Sequence, residues 1–211
     1  MATSTVAVKS AGTALFTIQN APSSAITNGP STNIATKWAG TVYVRMGRTS
    51  SASFASNLPV FRILGSPSGN GKDWVPIYVW TPSLGGVNAS CFQSLTATAN
   101  SGATAVIVSA APNASTSGTD LFLYNTSAVA RSEWNRIALA SVTTQLAWGL
   151  ERSQTIGKCI VASHGESWAI PVDFSGMTGI MFQVDNSAFN VASGLVVEAT
   201  MVATENAYTA P

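Results

Sequence analysis

Apolar and polar residues alternate with period two along nearly the whole chain, in short runs separated by turn residues, which is the signature of half-buried β-strands. Val42, Val44 and Met46 fall on one face and Tyr43 and Arg45 on the other. Phe61 and Ile63 alternate with Val60, Arg62 and Leu64, and Val75, Ile77 and Val79 alternate with Trp74, Pro76, Tyr78 and Trp80. Trp168, Ile170 and Val172 share a face, as do Ile180, Phe182 and Val184. The last strong run puts Leu195, Val197, Ala199 and Met201 on one side and Glu198 and Thr200 on the other, as an antiparallel strand with one wet face requires. Asn28-Gly-Pro, Ser66-Pro-Ser-Gly-Asn-Gly, Thr81-Pro-Ser-Leu-Gly-Gly and Asp185-Asn-Ser read as the turns between them. No run keeps a helical period over ten residues; the best candidate, 127–137, holds one turn at most.

The texture changes in the middle. Residues 95–118 are dominated by Ala, Ser, Thr, Asn and Gly, and about five short strands follow, with a tight hairpin connection at Val142-Thr-Thr-Gln. This predicts a small β module at 96–163, inserted at a loop tip of a sandwich made from 1–95 and 164–211. The expected fold is all-β: a jelly-roll-like antiparallel β-sandwich with an inserted small, β-barrel-like module.

Composition narrows the function. Charged residues are only 9% of the 211, where about 25% is usual. Ten Lys and Arg against nine Asp and Glu leave a net charge of +1, so nothing steers the chain to nucleic acid or an anionic membrane. The longest apolar runs, 105–108 and 195–197, fall far short of the ~20 residues that span a bilayer. The start, Met1-Ala-Thr-Ser-Thr, lacks the basic and apolar regions of a signal peptide, so synthesis and assembly in a cytoplasm is expected. In that setting Cys91 and Cys159 read as reduced, buried thiols. The Asn-x-Ser triplets at Asn88, Asn113 and Asn125 are the chance yield of this composition.

Candidate chemistry is sparse. His164 is the single histidine; gathered with Glu166 and Cys159 it makes a metal site only on paper, and a junction-loop histidine is the plainer reading. No serine sits in a Gly-x-Ser-x-Gly elbow, and the acids are scattered: Asp73 follows a Gly-rich turn, Asp185 ends a strand, and Glu133 is placed to pair with Arg131 or Arg136. Gly69-Asn-Gly-Lys lacks the spacing of a phosphate loop. No catalytic residue, metal or cofactor is expected. Of the six tryptophans most read as core packing; Trp80 and Trp148, each beside a turn, are the candidates for an exposed aromatic platform that takes sugars.

Two stretches carry a resemblance. One is Thr36-Lys-Trp-Ala-Gly-Thr-Val-Tyr-Val-Arg-Met-Gly-Arg with Asp73-Trp-Val-Pro-Ile. The other runs from Ser101-Gly-Ala-Thr-Ala-Val through Gly118-Thr-Asp-Leu-Phe-Leu and Ser132-Glu-Trp-Asn-Arg-Ile to Pro171-Val-Asp-Phe-Ser-Gly. Together they resemble virion structural proteins of tailed phages, particularly capsid decoration (cement) proteins. The resemblance implies a sandwich on the capsid surface of a virion assembled in the host cytoplasm. There it reinforces contacts between major capsid protein subunits as a homotrimer, with no nucleic acid or membrane partner. Few charges agree with that role, because they lower the desolvation cost of burying large surfaces. A tail, fibre or receptor-binding module is the alternative, and a carbohydrate-binding module of a secreted enzyme a third reading.

Both ends of the chain, rich in Ala and Thr, lack the bulk to pack alone, so at least one terminal arm is expected to be held by another subunit. The candidate interface segments are the N-terminal arm, the loop 49–57 and the tail from Glu205. The corresponding candidate residues are Met1, Thr3, Val6, Ser51, Phe54, Trp80, Trp148 and Tyr208.

Overall fold

The computed structural model describes residues 5–20, 25–49, 59–82, 91–112, 120–163, 165–187 and 195–208, with side chains at all of these except 5–8, 20 and 206–208. The strands in chain order begin with β1 (Thr5–Lys9), β2 (Thr13–Asn20), β3 (Ile26–Asn28), β4 (Thr32–Asn33), β5 (Lys37–Arg48), β6 (Val60–Ser66) and β7 (Val75–Trp80). Then come β8 (Phe92–Ser94), β9 (Ala105–Ile107), β10 (Asp120–Asn125), β11 (Glu133–Leu139), β12 (Thr143–Leu146) and β13 (Cys159–Ala162). The chain closes with β14 (Gly165–Asp173), β15 (Gly179–Asp185) and β16 (Leu195–Tyr208). A 3-10 turn spans Val129–Arg131, inside the stretch 127–137 where one turn was the most the sequence allowed. No helix among the described residues is long and apolar enough to cross a membrane.

Among the described residues every strand pairing is antiparallel. One sheet has the order β2-β16-β5-β14, with β1 paired to the far half of β16. A second has the order β3-β15-β6-β7, with β4 beside β3 on β15. Take β3 and β4 as one interrupted strand and rank the sandwich strands along the chain: β2, β3/β4, β5, β6, β7, β14, β15, β16. The first sheet then reads first, eighth, third, sixth, and the second reads second, seventh, fourth, fifth. That order is the double Greek key of the jelly roll.

The core between these sheets follows the alternation in the sequence. Val42, Val44 and Met46 of β5, Ile180, Phe182 and Val184 of β15, and Leu195, Val197, Ala199 and Met201 of β16 are all buried in one cluster. Phe16, Phe61 and Phe182 meet at its centre, with Trp80 and Trp168 packed edge-on against Phe61 at 5.4 and 5.8 Å. Edge-to-face pairs of this kind add stability beyond the area they bury. Strand β7 departs from its expected alternation. Its pairing with β6 slips between Ile63 and Leu64, so Ile77 and Trp80 both pack on the core while Val75, Tyr78 and Val79 are exposed on this edge strand. A bulge adds one residue to a strand and so breaks period two.

The third sheet, β8-β13-β10-β11-β12-β9, takes all its strands from Phe92 to Ala162, between the fifth and sixth strands of the jelly roll. Strands β9 to β13 fall inside the module expected at 96–163, and β8 joins the same sheet from ahead of that boundary through its pairing with β13. The sheet curls until its ends meet: Leu95 bridges Val108, and the Thr96 N–H donates to the Ile107 carbonyl at 2.9 Å. Leu95, Val106, Val108, Leu121, Leu123, Ile137, Leu146 and Val161 fill the inside. Cys159 lies there too, and both it and Cys91 are buried; burial pushes the Cys159 thiol up to about 12. The hairpin expected at Val142-Thr-Thr-Gln turns slightly earlier, and Thr143–Leu146 is strand. Ser141 explains the shift: its hydroxyl donates to the Thr143 carbonyl and its own carbonyl accepts from the Thr144 hydroxyl, both at 2.6 Å, which leaves the β-branched threonines free to pair.

Candidate functional site

The outer face of the β5 sheet is built in cross-strand rows. One row is Val196, Gly47 and Gly165; the next is Glu198, Arg45 and Ser167; the next is Thr200, Tyr43 and Ala169. The first row is a notch, because its two glycines present no side chain. Phe122 and Trp134 of the module, with ring centroids 4.5 Å apart, fill it. A Cβ placed on Gly47 would stand 2.5 Å from the Phe122 ring, and one on Gly165 would stand 2.7 Å from Trp134. Phe122 and Val196 are fully buried there, together with Ala162.

The module seated in the notch overhangs the other two rows and encloses a groove of about 510 Å³. Its floor is Tyr43, Arg45, Ser167, Ala169, Glu198 and Thr200, and its wall is Asp120, Trp134, Asn135, Arg136 and Trp148. Arg136 and Asp120 face each other across β10 and β11 and form an ion pair at 3.1 Å. The Ser167 hydroxyl donates to the other Asp120 oxygen at 3.1 Å and so ties sandwich to module. Trp148 is 45% exposed, yet its turn is firmly held: the Asn135 amide donates to its carbonyl at 3.0 Å and the Ala147 N–H donates to the Arg136 carbonyl at 2.8 Å. Tyr43, on the floor, is 46% exposed.

A smaller cavity of about 160 Å³ adjoins the groove and shares Arg45, Trp134 and Glu198 with it. Burial holds Glu198 above the usual carboxyl range, against the opposing pull of Arg45 and Arg152. The Trp134 indole N–H lies near that carboxylate without a hydrogen bond of normal geometry. Glu133 is also pushed up by burial. One of its oxygens accepts the Arg152 N–H at 2.9 Å, and the other has no partner among the described residues. The pairing of Glu133 with Arg131 or Arg136 expected from the sequence is not formed, because Arg136 turns to Asp120, directly opposite it in the sheet.

These buried carboxyls set the pH dependence of stability. A carboxyl raised by folding binds its proton more tightly in the folded state, so stability falls as pH climbs above the ordinary Glu value of 4.5. Asp73 works the other way: hydrogen bonds from Ser66 and Ser68 lower it to about 2, so its contribution is lost as pH falls below the ordinary 3.8. Asp173 and Asp185 are lowered in the same sense, chiefly by Ser175 and Ser187. The melting temperature is therefore expected to peak between 3.8 and 4.5 and to decline on both sides. Calorimetry across pH checks this, and Glu133→Gln should flatten the decline toward neutrality.

The sequence candidates separate. Met1, Thr3, Ser51 and Phe54 lie outside the described residues, as does His164. Val6 and Tyr208 sit in β1 and β16, whose backbones pair within this chain (Thr5 with Tyr208, Val6 with Ala207); their side chains are outside the described set. The two terminal segments thus hold each other, and the Lys37–Glu205 ion pair at 2.7 Å ties the last strand to β5. Trp80 packs into the sandwich core against Phe61, Trp168 and Phe182 and is no exposed platform, because the slip in β7 turns it inward. Trp148 alone reaches the groove. Tyr43, Arg45, Asp120, Arg136, Ser167 and Glu198 were not marked as site residues by sequence; the signal available was the pair of outward glycines, Gly47 and Gly165, where large side chains would be the norm. Among the described residues no group of three His, Cys, Asp or Glu side chains is placed to hold a metal ion.

Fold and groove together define an all-β jelly-roll protein whose inserted, curled β module encloses a groove against the outer face of one sheet. No protein-family model matches the chain, and no curated protein or solved structure matches it significantly.

Proposed function

We propose that this chain is a structural protein of a tailed-phage virion that binds the outer surface of the capsid as a homotrimer and reinforces contacts between major capsid protein subunits. The observation that carries the reading is apolar surface left open on a nearly uncharged molecule. Val75, Tyr78 and Val79 stand 48, 46 and 51% exposed on the edge strand β7. On the module, Ile107, Leu139 and Val142 are likewise exposed around β9, β11 and β12. Exposed apolar residues grouped on an edge or face mark association sites, and an open strand edge invites a partner chain. The jelly roll, a common shell-forming architecture, and the phage-like motifs support the same reading. Its test is the copy number in purified particles, by quantitative mass spectrometry. A number comparable with that of the major capsid protein is expected; a handful per particle would assign the chain to the tail or a fibre instead.

A further inference from the structure

We propose that the groove between the β5 sheet and the inserted module is a binding site for a neutral oligosaccharide, stacked on Trp148 and Tyr43. Its volume of about 510 Å³ falls within the roughly 300–1,000 Å³ range of small-molecule sites. The two aromatic side chains are each nearly half exposed, which leaves ring surface free for a ligand. A sugar ring presents an apolar C–H face and a rim of hydroxyls, and it needs both an aromatic surface and nearby polar groups. The groove has both. Asp120, Arg136 and Ser167 already form a hydrogen-bonded set on the wall and floor, and Thr200 adds a hydroxyl beside Tyr43.

Charge decides the class of ligand. Arg45 and Arg136 are balanced by Asp120 and Glu198, so the lining attracts neither anions nor cations, and its ion pair disfavours a purely apolar guest. Rigidity favours binding as well. The Trp148 turn is fixed by Asn135 and by the Leu150 N–H, which donates to the Ala103 carbonyl at 3.0 Å, so little conformational freedom is lost when a ligand stacks there. Sugar binding at this groove is independent of the capsid reading, and a particle copy number says nothing about it.

The test is a printed array of neutral glucans, galactans and chitooligosaccharides beside sialylated glycans, probed with the full chain and followed by titration of any retained sugar in solution. At least one neutral oligosaccharide should be retained, with affinity lowered about tenfold or more by Trp148→Ala and by Tyr43→Ala. The melting temperature should fall by no more than a few degrees in both, since nearly half of each side chain is exposed. Retention of no glycan, retention of sialylated glycans only, or binding that survives both substitutions overturns the proposal.

Discussion

Phe182→Ala is expected to be the most damaging single truncation in the sandwich, costing about 3–5 kcal/mol. Phe182 is fully buried on β15, which pairs with β3, β4 and β6. Its ring meets Phe16 at 5.6 Å, Phe61 at 5.8 Å and Trp80 at 6.0 Å. Removing it leaves a void among rigid rings, so the cavity term adds to the lost transfer energy. For a chain of this size each kcal/mol moves the melting temperature by roughly 2–4 °C, so a fall on the order of 10 °C is expected by calorimetry. Phe182→Leu should recover a good part of it. A loss below about 1 kcal/mol would show that the three phenylalanines do not form the packed centre described here.

The second large effect is at the notch. Gly47→Val should displace the module from the sheet, because the first added carbon already falls 2.5 Å from the Phe122 ring. Phe122 has nowhere to retreat: it is fully buried, with Trp134 against it at 4.5 Å. Overpacking of this kind costs about 1–3 kcal/mol. Because the clash lies at one contact, hydrogen exchange should show protection lost around β10 and β11 while β5, β6 and β15 stay protected. The double variant Gly47→Val with Phe122→Ala should regain part of the stability, since removing the ring vacates the space the new side chain needs. Equal loss of protection across both sheets, or no rescue, would contradict the notch. The groove depends on the same contact, so Gly47→Val should also disturb Trp148 fluorescence although the two residues lie on different elements.

The sandwich was largely legible in the sequence because its long strands carry an alternating inward face, even where the outer face is covered as well, as at Val196. Val42-Tyr-Val-Arg-Met and Leu195 to Met201 state the inward face residue by residue, and a slip of one position would turn a whole strand inside out. Strand β7 shows the limit. Val75 to Trp80 reads as clean alternation, but a bulge against β6 reverses half of it, and a bulge leaves no mark in a single strand's own pattern. The module was visible as a change of texture, and its first strand was missed because Phe92-Gln-Ser is too short to show a period.

By itself the sequence determined the all-β class, the inward faces of the long strands and the scarcity of charge, since these depend only on the order of side chains along one strand. Only the tertiary structure decided the jelly-roll strand order, the closure of the module through Leu95 and Val108, and the groove. The outward residues Tyr43, Arg45 and Glu198 have the same pattern whether they face water or another domain. What faces them is set by Phe122 and Trp134 reaching the glycine notch from more than 30 residues away in the chain, a long-range contact that no local period encodes.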